Sequence, residues 1–231
     1  MKLSIIIPVY NEEKTIIKIL NKIKNINLGK KIFKEIIVID DCSNDNTYKI
    51  LKENKSLYDK LFSNPKNMGK GYCVKKGLIN ASGDYVIFQD ADDEYDPEEY
   101  KKFIKIYEKF NPDLIIGSRI NYDLYTSSGN YLNKIGNNLI TMIFNFLFNT
   151  TFTDIYSCYI FFKKEKLDAE KLRTNGFEQQ AEILTSIIKK CKKKYEIKIN
   201  YNGRTKEEGK KIRYYHIFFV IYEIIRGYLL K

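Results

Sequence analysis

Two aspartates separated by one residue give this sequence its clearest chemical signal. Asp90 and Asp92 flank Ala91 and closely follow an apolar run at 84–88. Carboxylates spaced in this way at a strand end can jointly hold Mg²⁺ or Mn²⁺, which prefer hard oxygen ligands and leave room for diphosphate oxygens. Glu94 is a third candidate ligand. Such a cation would act as a Lewis acid toward a departing diphosphate, although paired aspartates can instead cap helices.

The elements that must position these carboxylates alternate between strands and helices. Continuous apolar runs at 3–7, 35–39, 84–88 and 114–116, with a short one at 61–62, predict strands covered on both faces. Helices are expected in the stretches between them, among them one at 70–80. The pattern predicts an α/β fold, a Rossmann-like and mostly parallel sheet flanked by helices.

Polar clusters follow most of these predicted strands. In such sheets, ligands bind beyond the carboxyl ends of the strands. The clusters are Tyr10-Asn11-Glu12, Asp40-Asp41, Asp90 to Asp93, and Ser118-Arg119. We also expect Ser43 to cap a helix that continues through Leu51, and Asp96 to cap another that has Pro97 at its first position.

The pattern changes after residue 120. A polar stretch at 121–130 predicts a mobile loop, and 131–148 predicts a helix whose polar residues Lys134, Asn138, Thr141 and Asn145 share one stripe. A strand is expected at 158–162, a helix at 177–190 and a late strand at 195–201. Residues 214–230 predict an apolar, amphipathic C-terminal helix.

Composition limits the function classes. Forty Lys and Arg residues against 29 Asp and Glu give a net charge of +11, which suits phosphorylated ligands or an anionic membrane. Nucleic acid would explain only the charge, because no base-reading motif is present. Four cysteines without a CxxC pair, and a single histidine, exclude a typical zinc site.

The location of the protein is expected to be cytoplasmic. Met1 leads directly into an apolar strand without a signal peptide, and 214–230 is short for a transmembrane helix and carries Glu223 and Arg226. The amphipathic segment could lie along a membrane surface and make the protein peripheral on its cytoplasmic face. Alternatively it could dock on the domain's own core or on a second copy in a homodimer.

Six motifs in order resemble one enzyme family. They are SIIIPVYNEE at 4–13, IDDCSNDNT at 39–47, NMGKG at 67–71, ASGD at 81–84, QDADD at 89–93 and GSR at 117–119. Together they are similar to the family 2 glycosyltransferases, which have a GT-A fold, and most of all to the dolichyl- or polyprenyl-phosphate sugar synthases. Asp154, Cys158-Tyr159, Phe162, 176–178 and YNGRTKEEGKKI at 201–212 extend the likeness.

The resemblance implies a domain organisation and an activity. Residues 1–212 would form the GT-A domain, with a nucleotide-sugar half at 1–119 and an acceptor half at 120–212, followed by the C-terminal helix at 213–231. The enzyme would move a hexose, with inversion, from a GDP- or UDP-hexose to a polyprenyl phosphate such as dolichyl or undecaprenyl phosphate, using Mg²⁺ or Mn²⁺. Transfer to a glycan or protein hydroxyl, and a non-catalytic nucleotide-sugar-binding protein, remain alternatives.

The resemblance also implies roles for individual residues. The nucleoside pocket would use Pro8, Tyr10, Glu12, Ile39 and Asp41, and the donor would also contact Asp90, Ala91, Arg119, Arg204 and Lys210. The metal ligands would be Asp90, Asp92 and Glu94, the last standing where the family commonly has Gln. The acceptor phosphate would meet Arg119, Lys134 and Asn138. The residues closest to the chemistry would be Asp92, Arg119 and Asp154, with Asp154 or Glu178 as a base if the acceptor is a hydroxyl.

Overall fold

The computed structural model describes residues 1–120, 131–203 and 216–230, with side chains from residue 134 onward in the second range. The expected loop at 121–130 and the candidate donor ligands Arg204 and Lys210 lie outside the described residues.

The described residues form a seven-stranded sheet in the order β3-β2-β1-β4-β6-β5-β7. The strands are β1 (Lys2–Val9), β2 (Phe33–Asp40), β3 (Lys60–Ser63), β4 (Tyr85–Phe88), β5 (Leu114–Ser118), β6 (Ile160–Lys163) and β7 (Lys194–Lys198). All neighbours pair in parallel except β6, which runs antiparallel to both β4 and β5. The predicted mostly parallel sheet is confirmed.

The burial of the strands on both faces explains why their sequences are continuous apolar runs. Ile5, Ile6 and Ile7 on β1 are fully buried although successive side chains point to opposite faces. Both faces of the central strands are therefore covered, as parallel strands require. Pro8 pairs with Ile39 in register, so β1 and β2 end at the same edge of the sheet.

Seven α-helices cover the sheet in the described part of the chain. They are α1 (Ile16–Asn25), α2 (Thr47–Glu53), α3 (Lys70–Asn80), α4 (Tyr100–Phe110), α5 (Tyr131–Phe148), α6 (Gln179–Ile187) and α7 (His216–Leu229). The expected bounds of α3 and α5 are confirmed. A 3₁₀ turn at Pro97–Glu99 precedes α4, and the Asp96 side chain caps it by accepting from the Glu98 N–H at 3.1 Å.

Two local predictions were wrong. Helix α2 begins at Thr47, after Asn46, and the Ser43 hydroxyl instead accepts from the backbone N–H of Asn11 at 3.0 Å. Strand β6 begins at Ile160 and not at residue 158. The N–H of Cys158 donates to the Tyr95 hydroxyl at 3.1 Å, so it is not available to a neighbouring strand.

Helix α7 packs against α5 and α6. Its residues Val220 and Ile224 are buried, and Gly227 lies so close to Thr185 that a Cβ would not fit. Arg226 completes the contact by pairing with Glu223 on its own helix and with Glu182 on α6, at 3.4 Å from the latter. Among the helices that the structure describes, none is both long enough and apolar enough to span a bilayer.

Candidate functional site

A cavity of about 630 Å³ opens at the carboxyl ends of the strands. It lies where the alternation of strands and helices places ligands in this type of sheet. Most of the residues expected to bind donor or metal line it: Pro8, Tyr10, Glu12, Asp41, Asp90, Ala91, Asp92, Glu94 and Arg119. Further lining comes from the first turn of α3, from α5, α6 and α7, and from residues before and between these elements, such as Tyr95, Tyr156 and Tyr201.

Three carboxyl groups follow β4 at one side of this cavity. Burial raises the pKa of Asp92 to about 7, and the neighbouring charges of Asp90 and Glu94 add to the effect. The backbone N–H of Glu94 donates to Asp92 at 3.2 Å, which opposes the shift only in part. The loop therefore concentrates carboxyl groups whose mutual repulsion favours the neutral form of Asp92.

A lysine that the sequence analysis did not assign balances part of this charge. The Nζ of Lys70, at the first position of α3, lies 2.6 Å from Oδ1 of Asp90. Burial opposes the charged form of Lys70, but attraction to Asp90 outweighs it and raises the lysine's pKa. The available signal was the sequence Gly69-Lys70-Gly71 at the start of a helix, because glycines let a helix terminus approach a ligand closely.

Asp41 holds the turn that presents Lys70. Its carboxylate accepts from the backbone N–H groups of Met68 and Gly69, each at 2.8 Å, and from the Asn64 amide at 2.8 Å. Gly69 has φ +94°, a conformation that favours glycine. Asp41 is thus already engaged by protein donors, and its contact with a nucleobase stays a prediction.

Arg119 and Asp154 form a bidentate pair at the end of β5. Arg119 Nε lies 2.7 Å from Oδ2 of Asp154, Nη2 lies 2.9 Å from Oδ1, and the Arg119 backbone N–H also donates at 3.0 Å. Burial by itself raises the pKa of Asp154, but the charge and hydrogen bonds of Arg119 outweigh it and hold the pKa below its ordinary value. Asp154 is outside the cavity lining, where it orients Arg119, whose guanidinium also faces the Tyr201 ring at 5.3 Å.

The remaining predicted residues are not brought to the cavity wall. Ile39 is fully buried within β2. Lys134 and Asn138 are exposed on α5, and Asn138 lines a separate shallow pocket together with Thr141 and Asn145. The polar stripe is thus present on α5, but the cavity is lined by a different set of its residues: Ile135, Gly136, Asn137, Leu139 and Ile140. The acceptor-phosphate role of Lys134 and Asn138 stays a prediction.

Asp90 and Asp92 fit a divalent cation as two of its ligands, without forming a complete site. Within the described ranges, no group of three or more His, Cys, Asp or Glu side chains converges as a preformed metal site. Glu94 accepts from the Tyr201 hydroxyl at 2.7 Å. Asp90 and Asp92 nevertheless supply hard oxygen atoms and excess negative charge, which suits a cation that takes its other ligands from a diphosphate and water.

The wall that α5 and α7 contribute to the cavity is mostly apolar. Helices α5 and α7 contribute Ile135, Leu139, Ile140, Ile217, Phe218 and Val220 to it. Outside the cavity, the same two helices expose further large apolar side chains, among them Phe146 at 85% and Leu229 at 71% exposure. So many exposed large apolar side chains on two packed helices suggest a surface that contacts something other than water.

Comparison with known proteins identifies the class to which this fold and site belong. The chain belongs to glycosyl transferase family 2, whose family model matches residues 4–169. The resemblance read from the six motifs is therefore confirmed.

Two archaeal relatives are 30% identical to the chain over the aligned regions. It is 30% identical over 207 residues to the UDP-N-acetylglucosamine–dolichyl-phosphate N-acetylglucosaminyltransferase of Methanococcus voltae, covering 81% of this chain and 80% of the relative. It is 30% identical over 213 residues to the dolichol-phosphate mannosyltransferase of Pyrococcus furiosus, covering 91% of this chain. The chain spans only 59% of that relative's length, and 49% of the length of another archaeal hexosyltransferase.

The fold has solved counterparts. Glucosyl-3-phosphoglycerate synthase from Mycobacterium tuberculosis, solved with Mn²⁺, UDP-glucose and phosphoglyceric acid, superposes with a TM-score of 0.72 over 98% of this chain and 79% of its own. At 17% identity this likeness establishes the GT-A architecture alone.

Proposed function

We propose that the protein transfers a hexose from a nucleoside diphosphate hexose to a polyprenyl phosphate, with inversion. One observation carries the proposal: a single cavity joins the Asp90–Asp92 carboxylates, Lys70 and Arg119 to an apolar wall from α5 and α7. The charged groups suit a diphosphate, and the apolar wall suits the prenyl chain of a lipid phosphate. The names of both archaeal relatives, which act on dolichyl phosphate, support the same substrate class.

Asp90 and Asp92 would hold Mg²⁺ or Mn²⁺, which supplies charge neutralisation for a diphosphate leaving group. Lys70 adds a fixed positive charge beside Asp90. Arg119, locked in orientation by Asp154, presents a guanidinium whose remaining N–H groups suit phosphate oxygens. These residues orient the donor and stabilise the charge that appears when its anomeric C–O bond breaks.

A phosphate acceptor agrees with the state of Asp154. Phosphate monoesters are already ionised at neutral pH, so the attacking oxygen needs no proton acceptor. That oxygen forms a bond to the anomeric carbon while the bond to the diphosphate breaks on the opposite face, and one such displacement inverts the centre. A hydroxyl acceptor would need a base, and Asp154 is instead committed to Arg119.

The exposed apolar surface of α5 and α7 would bring the enzyme to its lipid acceptor. Interfacial helices bury one apolar face at the headgroup boundary, and basic residues strengthen binding to anionic lipids. Lys189 lies 5.0 Å from the ring centre of Tyr228, at the border of this surface, and the whole chain carries +11. We propose a peripheral position on the cytoplasmic face of a membrane.

A transfer assay tests the proposal. Radiolabelled UDP- and GDP-hexoses are incubated with undecaprenyl phosphate, with and without Mn²⁺, and butanol-extractable label is counted. We expect label in the lipid phase only with metal, and an Asp92→Asn variant that loses at least about a hundredfold in rate, as removal of a transition-state charge partner usually does. Label that reaches only a sugar or protein hydroxyl, or an Asp92→Asn variant of full activity, would contradict it.

A further inference from the structure

Gln179, the first residue of α6, has an amide oxygen with no partner. The residue is 4% exposed and lines the cavity, and its Oε1 accepts no hydrogen bond from any part of the chain that the structure describes. Buried polar atoms are nearly always satisfied in native proteins, so such an exception calls for a reason. Because Gln179 belongs to the cavity lining, a rotation of its amide lets a bound ligand supply the missing partner.

The side-chain amide of the adjacent Gln180 has hydrogen-bond partners, so a position at the start of α6 does not by itself leave an amide without them. Its Nε2 donates to the carbonyl oxygens of Ile155, at 3.0 Å, and of Ser157. Gln180 is therefore a structural tie to the segment before β6. Both side chains belong to the cavity lining, but of the two only Gln179 has a buried amide oxygen without a partner.

The backbone around Gln179 places it beside the donor-binding groups. A Cβ added to Gly71 would lie 2.9 Å from the Cβ of Gln179 and 2.7 Å from the Thr174 carbonyl oxygen. The first turn of α3 is thus in direct contact with the first turn of α6. That same turn of α3 carries Lys70, which reaches Asp90. The Gln179 amide accordingly lies on the wall next to the charged end of the cavity.

We infer that the Gln179 amide oxygen accepts a hydrogen bond from a hydroxyl of the donor's hexose, and so helps to select and position that sugar. The inference rests on the proposed function. The donor diphosphate and the lipid phosphate offer only acceptor oxygens, which a carbonyl oxygen repels. The hexose is the part of the substrates that brings several O–H donors to this end of the cavity. A site built to bind a hydroxyl also rejects analogues that lack it.

Binding measurements separate the sugar from the nucleotide. Dissociation constants are measured with Mg²⁺ for UDP and GDP and for UDP-glucose, UDP-N-acetylglucosamine and GDP-mannose, on the wild type and on Gln179→Met, a close match in shape. We expect the matching nucleoside diphosphate to bind both proteins equally within about twofold. The matching nucleotide sugar should bind Gln179→Met about tenfold more weakly, the loss of one hydrogen bond.

Two further variants make the result specific. Gln179→Glu keeps an acceptor oxygen, so the affinity ratio of nucleotide sugar to nucleotide should stay close to that of the wild type even if added charge weakens both. Gln180→Met is the matched control: it should lower the melting temperature and leave this ratio unchanged. Donors that each lack one hexose hydroxyl then identify the hydroxyl that Gln179 binds. Loss of that hydroxyl should weaken binding to the wild type and leave binding to Gln179→Met unchanged.

The outcomes are distinguishable. If Gln179→Met binds the nucleotide sugar as the wild type does, or loses nucleotide and nucleotide sugar by the same factor, the inference is overturned while the proposed function stands. If the wild type binds none of the nucleotide sugars, the proposed function fails and takes this inference with it.

Discussion

Lys70 Nζ lies 2.6 Å from Oδ1 of Asp90, so a lysine at the start of α3 contacts the first of the two aspartates that follow β4. The two residues are twenty positions apart in sequence. They meet because β3, β2, β1 and β4 pair in parallel in that order, which brings the segments after β3 and β4 to the same edge of the sheet. The turn of Gly69 controls this contact.

Replacement of Gly69 should impair donor binding beyond its effect on stability. Gly69 and Gly29 have nearly the same φ, +94° and +95°, but a Cβ at Gly69 would collide with the Asn175 carbonyl oxygen, whereas nothing lies within 4 Å of one at Gly29. Backbone strain alone should cost each alanine variant about 1 to 3 kcal/mol, and the collision should add to this cost at Gly69. Only Gly69→Ala should weaken binding of a nucleotide sugar, by about tenfold or more, in isothermal titration calorimetry. Equal binding by the two variants would show that the turn does not position Lys70.

Loss of Arg226 should destabilise the whole chain. Glu182 and Glu223 are each 3% exposed, and Arg226 pairs with both. Arg226→Met would leave two buried carboxylates without this partner, so we expect a loss of about 3 kcal/mol in urea unfolding. Glu182 also accepts from the backbone N–H groups of Arg173 and Thr174.

The double variant Arg226→Met/Glu223→Met provides the control for this prediction. It should recover part of the stability, because Glu182 is then the one buried carboxylate that has lost Arg226, and Arg173 still lies 3.8 Å from it. A single variant as stable as the wild type would mean that the α6–α7 contact depends on apolar packing alone.

Glu35 should make stability depend on pH in the acid range. Burial alone raises the pKa of this carboxyl, but hydrogen bonds from Ser4, Ser82 and Lys60 outweigh it and lower the pKa to about 2. A carboxyl whose pKa is lower in the folded state stabilises the fold above its unfolded pKa, and this contribution is lost as pH falls toward the folded value.

The corresponding experiment compares Glu35→Gln with the wild type in urea at several pH values. At pH 7 the variant should be less stable by about 1 to 3 kcal/mol, and the difference should shrink below about pH 4.5. A difference that is constant from pH 7 to pH 3 would assign the effect to the hydrogen bonds and not to the charge.

Membrane contact should depend on the apolar surface of α5 and α7. Phe146 and Leu229 are 85% and 71% exposed and lie outside the cavity lining, so Phe146→Ser/Leu229→Ser should leave donor binding intact. Co-sedimentation with phosphatidylglycerol vesicles should fall at least about tenfold, because each side chain can contribute over 1 kcal/mol on burial. Phe33→Ser is the control, since Phe33 is 67% exposed at the opposite end of the strands. If it reduces vesicle binding equally, this surface is not the contact.

The sequence predicted the features that leave a local pattern of apolar or charged residues. The buried strands, the bounds of α3 and the carboxylates after β4 follow from apolar runs and from the motif around Asp90. Sequence could not show that Asp154 is paired with Arg119, because that geometry depends on how the segment after α5 packs against β5. Nor could it distinguish Gln179 from Gln180, because their difference lies only in what each amide faces.

The antiparallel strand β6 has a consequence for how the protein can be made. It lies between β4 and β5, yet it is contributed by residues 160–163, more than forty positions after β5 ends. A ribosome that has released the first 119 residues has therefore produced β5 without the neighbour that joins it to the rest of the sheet. Such non-local pairing delays productive folding and leaves strand edges open to association in the meantime. A fragment restricted to the nucleotide-sugar half should consequently aggregate when expressed alone.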